Sequence, residues 1–281
     1  MLTVRSRVLK FVDELAKTTG AFDELEKRVL QFSREQLVEA LLECGAIPEA
    51  FDHDSSQEKL WAKYCDILLA MGLSELGLKA SVIRARGNSA DVLATGVTYS
   101  LVGDAKAFRL SRTAKNQKDF KVSALDDWRR ENTYACLVGP LTQFPNTRSQ
   151  IYKQAVQKNV TLISYTHLRF LIENETRASL EELWNIGQQL KPSDVAADYW
   201  AAIDTVTASL SGKDLTELEA IKQLEIEKLK ELGREGISYW ERRIEQYHKL
   251  SQAEAVNRLI KAEKIEAKIR TIKKAISWEQ L

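Results

Sequence analysis

Ala90-Asp91-Val92-Leu93-Ala94-Thr95-Gly96-Val97-Thr98-Tyr99-Ser100-Leu101-Val102-Gly103-Asp104-Ala105-Lys106 is the stretch whose reading decides the fold. Two apolar runs of strand length, 90–95 and 98–106, flank a short turn containing glycine, which is the pattern of a hairpin. If the loop is the pair Gly96-Val97, facing positions sum to 193, and a four-residue loop from Thr95 to Thr98 gives the same sum. Asp91 then faces Val102 and shares a side of the hairpin with Asp104 and Lys106, because strand side chains alternate. A three-residue loop would turn Asp91 to the other side. Two carboxylates and one ammonium converging at one end of a hairpin can hold a hard divalent cation beside a phosphate. The same three residues also fit an ordinary exposed pair of opposite charges, so their neighbours decide the matter.

From Lys106 onward a cation recurs at every third position: Lys106, Arg109, Arg112, Lys115, Lys118 and Lys121, with Asp119 the only acid between them. The chain has 41 basic and 40 acidic residues, so this is a local concentration and not a basic protein. Ser111, Thr113, Asn116 and Gln117 are interleaved with the cations, and such side chains donate to phosphate or read base edges. A solvated charged loop explains most basic stretches. Adjoining a two-carboxylate cluster, this one reads as a surface for a polyanion.

Residues 104–122, Asp-Ala-Lys-Ala-Phe-Arg-Leu-Ser-Arg-Thr-Ala-Lys-Asn-Gln-Lys-Asp-Phe-Lys-Val, closely resemble the corresponding stretch of the HindIII family of type II restriction endonucleases. Ser56-Gln57-Glu58-Lys59-Leu60, Arg86-Gly87-Asn88 with Asp91-Val92, and Ser149-Gln150-Ile151 resemble that family too, and the similarity spans roughly positions 45–170. The resemblance implies the PD-(D/E)XK nuclease superfamily, an α/β (α+β) fold with a central mixed sheet flanked by helices. It implies Asp91, Asp104 and Lys106 as catalytic residues. Asp91, Asp104 and the carbonyl of Ala105 would hold Mg2+, with Mn2+ able to substitute. It implies double-stranded DNA as substrate, AAGCTT as target, 5′-phosphate ends, a homodimer, and a cognate DNA methyltransferase in the same cell.

Within the basic stretch, Asn116 and Gln117 suit bidentate contacts to adenine and Lys118 or Lys121 suits guanine, while Arg109, Arg112 and Lys115 suit phosphate. Asp119 fits three roles: assisting the site, orienting recognition residues, or accepting from a cytosine amino group. Glu58 precedes the sheet on a helix, where superfamily members often add a glutamate near the metal; alone beside Lys59 it reads as a surface residue, and the resemblance of its neighbours places it with the catalytic residues. Two positions depart from the pattern. Ala90 stands where the superfamily often has proline, and Arg84 where the HindIII family has glutamate, so Arg84 inherits no catalytic role.

Composition is that of a soluble enzyme: 281 residues, 44% hydrophobic, with no apolar run of the length a membrane span needs. The N-terminus lacks a secretory pattern, and the expected location is cytoplasmic. Cys44, Cys65 and Cys136 are isolated and fit buried thiols, and His53, His167 and His248 are too scattered for a zinc site.

Periodicity predicts helices over 2–19, 22–44 and 56–71, then strands over 79–85, 90–95 and 98–106. A helix over 123–131, a strand over 134–138, a helix over 147–158 and a strand over 160–163 follow. The order α-β-β-β-α-β is the common core of that superfamily. Beyond residue 166 the chain reads as helices over 166–174, 179–190, 193–210, 213–232 and 237–276, with Gly233 and Gly236 as a break. The expected domains are a helical segment (1–54), a catalytic core with the recognition stretch (55–175), and a helical region for DNA or dimer contacts (176–281). Two other functions fit the residues alone: a structure-selective repair nuclease, and a helical DNA-binding protein whose acidic cluster is structural.

Overall fold

The computed structural model describes residues 3–84, 89–112 and 117–276. Its first elements are helices α1 (Val4–Leu15), α2 (Ala21–Val29) and α3 (Arg34–Glu43), the short strand β1 (Ala46–Ile47) and the long helix α4 (Ser56–Glu75). Next come β2 (Lys79–Val82), β3 (Val92–Thr95), β4 (Ser100–Ala105), β5 (Phe108–Arg109), α5 (Gln117–Phe120), α6 (Val122–Arg129), β6 (Tyr134–Gly139), α7 (Gln150–Lys158) and β7 (Val160–Ser164). The remainder is helical: α8 (Tyr165–Glu173), α9 (Glu181–Trp184), α10 (Ile186–Gln189), α11 (Ala196–Ser211), α12 (Leu215–His248), α13 (Gln252–Ala262) and α14 (Ile265–Ile276).

The main sheet has the order β2-β3-β4-β6-β7, antiparallel from β2 to β4 and parallel from β4 to β7. Strands β4, β6 and β7 are buried almost end to end. Parallel strands covered on both faces require this, so they read as unbroken apolar runs and not as alternation. Helix α4 starts at Ser55, whose hydroxyl accepts the Glu58 N–H at 3.1 Å. It buries Leu60, Trp61, Tyr64, Ile67, Leu68 and Leu73. Gly103 lets it lie close to β4: a Cβ there would stand 3.0 Å from the Leu69 methyl and 3.4 Å from the Cys136 sulfur. The three cysteines are buried free thiols.

The hairpin register differs from the expected one. Val92 faces Gly103 and Thr95 faces Ser100, so facing positions sum to 195, and the loop is Gly96 to Tyr99, closed by the Gly96 N–H donating to the Tyr99 carbonyl at 2.8 Å. Tyr99 leaves the ladder because its ring packs edge-on against Tyr134 and its hydroxyl accepts from the Trp184 indole. A slip of two residues preserves facing. The pairing ends at Val92 opposite Gly103, and Asp91, one residue before it, lies near enough to Asp104 for its charge to act on that carboxyl.

Three further elements depart from expectation. The predicted helix 22–44 is cut at Ser33, where a reciprocal cap with Gln36 starts α3. Gly233 and Gly236 do not interrupt α12, since a glycine weakens a helix by about 1 kcal/mol without ending it. The break falls instead before α13, which Ser251 caps with Glu254. Finally, β1 and β5 form a parallel pair, Ala46 beside Phe108 and Ile47 beside Arg109. Two-residue strands carry no periodicity to read.

A Ser164–His167–Asp204 chain lies beyond the end of β7, with Ser164 Oγ 2.6 Å from His167 Nδ1 and His167 Nε2 2.7 Å from Asp204. Ser164 and His167 are fully buried. Ser164 caps α8, and Lys222 closes the chain on Asp204, so these residues tie α8, α11 and α12 together. They do not form a nucleophile.

The chain divides into two compact units, Met1–Arg234 and Glu235–Leu281. The first contains the sheet. The second contains the end of α12 with α13 and α14, and no residue of α13 is buried. No described helix is long and apolar enough to cross a membrane.

Candidate active site

The C-terminal end of β4 sets the geometry. Parallel pairing with β6 continues past the strand, where the Lys106 N–H donates to the Val138 carbonyl at 2.7 Å, and the Tyr165 hydroxyl donates to the Lys106 carbonyl at 3.0 Å. This fixes the backbone that carries both Asp104 and Lys106. The Lys106 ammonium lies 2.6 Å from each oxygen of the Asp104 carboxylate and donates to Oδ1. Oδ2 is buried at the same distance from that ammonium, so both carboxylate oxygens face one cation.

Asp91 stands just beyond β3. Its N–H donates at 3.1 Å to the carbonyl of Gly103, which Val92 already faces, and its carbonyl accepts from Ile83 at 2.7 Å, so the regular pattern with β4 breaks at Asp91 while backbone bonds on both sides hold it. The carbonyl of Ala105 points to the same edge as that of Gly103, since backbone groups alternate along a strand. The β3–β4 ladder ends at Gly103, so the Ala105 carbonyl opens on the side where Asp91 lies.

Two residues not anticipated from the sequence complete the cluster. Lys63 on α4 reaches Asp91 Oδ1 at 3.1 Å and Asp66 Oδ2 at 2.9 Å, and Asp66 is 3% exposed. Burial pushes the Asp104 carboxyl up to about 6, with the Lys106 charge opposing and the Asp91 charge adding to the rise. Burial and then the Asp91 charge push Asp66 up to about 8 against the pull of Lys63. The signal for Asp66 was its place in Cys65-Asp66-Ile67-Leu68-Leu69, an acid within an apolar run on a buried helix face.

This donor set fits a hard divalent cation. An Asp104 carboxyl raised by burial and by the Asp91 charge, and an outward carbonyl, are what such an ion satisfies.

The structure thus brings Asp91, Asp104, Ala105 and Lys106 together. Glu58, on the first turn of α4, turns instead to Arg109, accepting from its Nε at 3.1 Å and from a terminal nitrogen at 3.0 Å. It also takes the Asp54 N–H at 2.6 Å. Burial raises its carboxyl, but the Asp54 N–H and Arg109 outweigh that and hold it below the usual range.

Further along the basic stretch, Ser111 donates its N–H and hydroxyl to Glu49 at 2.9 and 2.6 Å. Arg112 pairs with Asp119 and covers the Phe108 ring. Lys121, at a positive φ of 48°, lies over the Trp128 ring before α6 begins. Gln117 and Lys118 open α5. Their side chains lie outside the described residues, as do Lys115 and Asn116 altogether.

Comparison with known proteins bears on this geometry. The HindIII restriction endonuclease family matches residues 6–276 of the chain. The type II restriction enzyme HindIII of Haemophilus influenzae is 37% identical over 280 residues, which cover 95% of this chain and 93% of that enzyme.

Proposed function

The chain belongs to the HindIII restriction endonuclease family and is a type II site-specific endonuclease, and from that premise we propose that it makes Mg2+-dependent double-strand cuts in DNA at AAGCTT. The carrying observation is the convergence of Asp91, Asp104 and Lys106 at the end of β4, with the Asp104 carboxylate fully buried beside the Lys106 ammonium. Asp91, Asp104 and the Ala105 carbonyl are the ligands, and Mn2+, which also favours oxygen donors, substitutes for Mg2+. When bound, the ion polarises the scissile phosphate and lowers the pKa of water, yielding a 5′-phosphate and a 3′-hydroxyl.

Each protein group has a part in this reading. Lys106, positioned by Asp104, offers its protons to the attacked phosphate and to the incoming water. Lys63 lies between Asp66 and Asp91 and offsets the charge of Asp91. Glu58 serves the site through Arg109, which it aims at the DNA backbone with Arg112 and Lys115. Asn116 and Gln117 read adenine, Lys118 or Lys121 reads guanine, and Asp119 orients Arg112. One Asp91/Asp104/Lys106 set per chain cuts one strand, so a palindrome is cut by a two-fold homodimer. A cognate methyltransferase protects the host DNA, and the enzyme works in the cytoplasm beside it.

The test is digestion of a supercoiled plasmid carrying one AAGCTT, with Mg2+ and with a chelator, followed by sequencing of the ends. Linear product cut within that hexamer only when Mg2+ is present supports the reading. Clean cutting at another palindrome rejects the target alone. Cutting confined to junctions or lesions points to a repair nuclease, and binding without cutting removes the metal-site assignment.

A further inference from the structure

Tyr165 stands one position beyond the end of β7, as Lys106 stands one position beyond the end of β4. Ser164 accepts the His167 N–H at 3.2 Å, and this cap makes Tyr165 the first residue of α8. The register puts both residues at the same end of three parallel strands, since Ala105 lies beside Val138 and Gly139 beside Ser164. Strand β6 separates them, so about 10 Å of sheet lies between their strands. A long side chain with a donor at its tip crosses that gap. The Tyr165 hydroxyl donates to the Lys106 carbonyl at 3.0 Å. The phenol is 2% exposed, and a buried tyrosine needs a partner for its hydroxyl. Burial pushes it well above its usual range, so it stays protonated and keeps donating.

Lys106 is therefore held at three places: its N–H on Val138, its carbonyl under Tyr165 and its ammonium on Asp104. The first two fix the backbone from which the side chain projects, and the third fixes the tip. The space around its base is filled as well. A Cβ at Gly139 would stand 3.6 Å from the Lys106 Cβ and 3.3 Å from the Phe144 ring. Asp104 does not hold the tip alone during cutting, because the same carboxylate is the proposed seat of the cation. The aim of a flexible four-carbon stem then rests on its backbone. A reacting group misplaced by about 1 Å loses on the order of a hundredfold in rate.

We infer that Tyr165 is a positioning residue for this endonuclease: from within the core, its hydroxyl sets where the Lys106 ammonium stands when DNA is cut. The inference rests on the proposed role of Lys106 and adds the group that aims it.

Tyr165→Phe keeps the ring and removes the hydroxyl alone. In single turnover with saturating enzyme, it should cut plasmid about tenfold more slowly or worse. More enzyme should not restore the rate, and affinity for target DNA in chelator should stay within about twofold. The melting temperature should fall by no more than about 4 °C, as for the loss of one hydrogen bond. Should it fall further, the assay is repeated far below the new melting temperature, where the chain is fully folded and the deficit should remain. Cutting at the unaltered rate, a deficit that vanishes in the cold, or a rate that falls only in step with affinity and stability overturns the inference. Lys106→Ala in the same assay separates this from the reading beneath it. If Lys106→Ala is inactive and Tyr165→Phe cuts normally, the positioning role alone falls. If Lys106→Ala cuts as fast as the unaltered chain, the role of Lys106 and the inference fall together.

Discussion

Asp104 is fully buried, with one ammonium beside it and the Asp91 carboxylate near enough to raise its pKa. Asp104→Asn keeps its shape and removes the charge that a cation needs, so cleavage should be abolished while specific binding in a gel shift persists. Lys106→Ala should do the same by removing the ammonium from the attacked phosphate. Wild-type cutting by either variant would end the assignment. Asp66 gives a separate test through pH. Its folded pKa, about 8, lies above its ordinary 3.8, so the native state holds a proton that the unfolded chain has lost. This contribution to stability is full below about 4 and is lost as pH rises through about 8. In chelator, the melting temperature should therefore fall between pH 6 and pH 9, and Asp66→Asn should flatten that fall. An unchanged slope in the variant would show that Asp66 is already ionised. The trio of Asp91, Asp104 and Lys106 was legible in the sequence because all three fall at one end of a recognisable hairpin. Lys63 and Asp66 were not, because nothing local says which face of α4 lies over the end of β4.

The elements around the site show where such reading stops. Apolar runs located β4, β6 and β7, and the two-residue slip of the hairpin came from Tyr99, whose partners Tyr134 and Trp184 lie far along the chain. Ser33 was a readable cap inside a continuous helical period, and the pairing of β1 with β5 was beyond reach because its partners are 62 residues apart, as Ala46 is from Phe108. That pairing matters for the basic stretch, since it anchors Arg109 and leads into Arg112, which is paired with Asp119 in the free protein. Arg112→Ala should weaken binding to target and random DNA alike and lower the salt dependence by about one counterion. Asn116→Ala should cost about 1–3 kcal/mol at one base pair and spare random DNA. Fluorescence titrations at several salt concentrations separate the two. If the variants lose the same ratio on both DNAs, the division between holding and reading is wrong.

At the scale of the whole molecule, β4 is at once the middle strand of the sheet and the bearer of the proposed site. It is paired on one side with β3 and on the other with β6, and Leu101, Val102 and Asp104 are within 2% of complete burial. Most enzymes carry their reactive groups on loops, which open at little cost while the framework stays intact. Here Asp104 has no such independence. The amide protons of Val102, Asp104 and Leu137 should be among the last to exchange with deuterium, at rates set by global opening of the first unit. Urea should abolish cleavage and the far-ultraviolet signal of that unit along one curve, and activity lost well before that signal would refute it. Cutting DNA then doubles as an assay for the folded state of the sheet, and no partly denatured form of this enzyme should be left able to nick a chromosome.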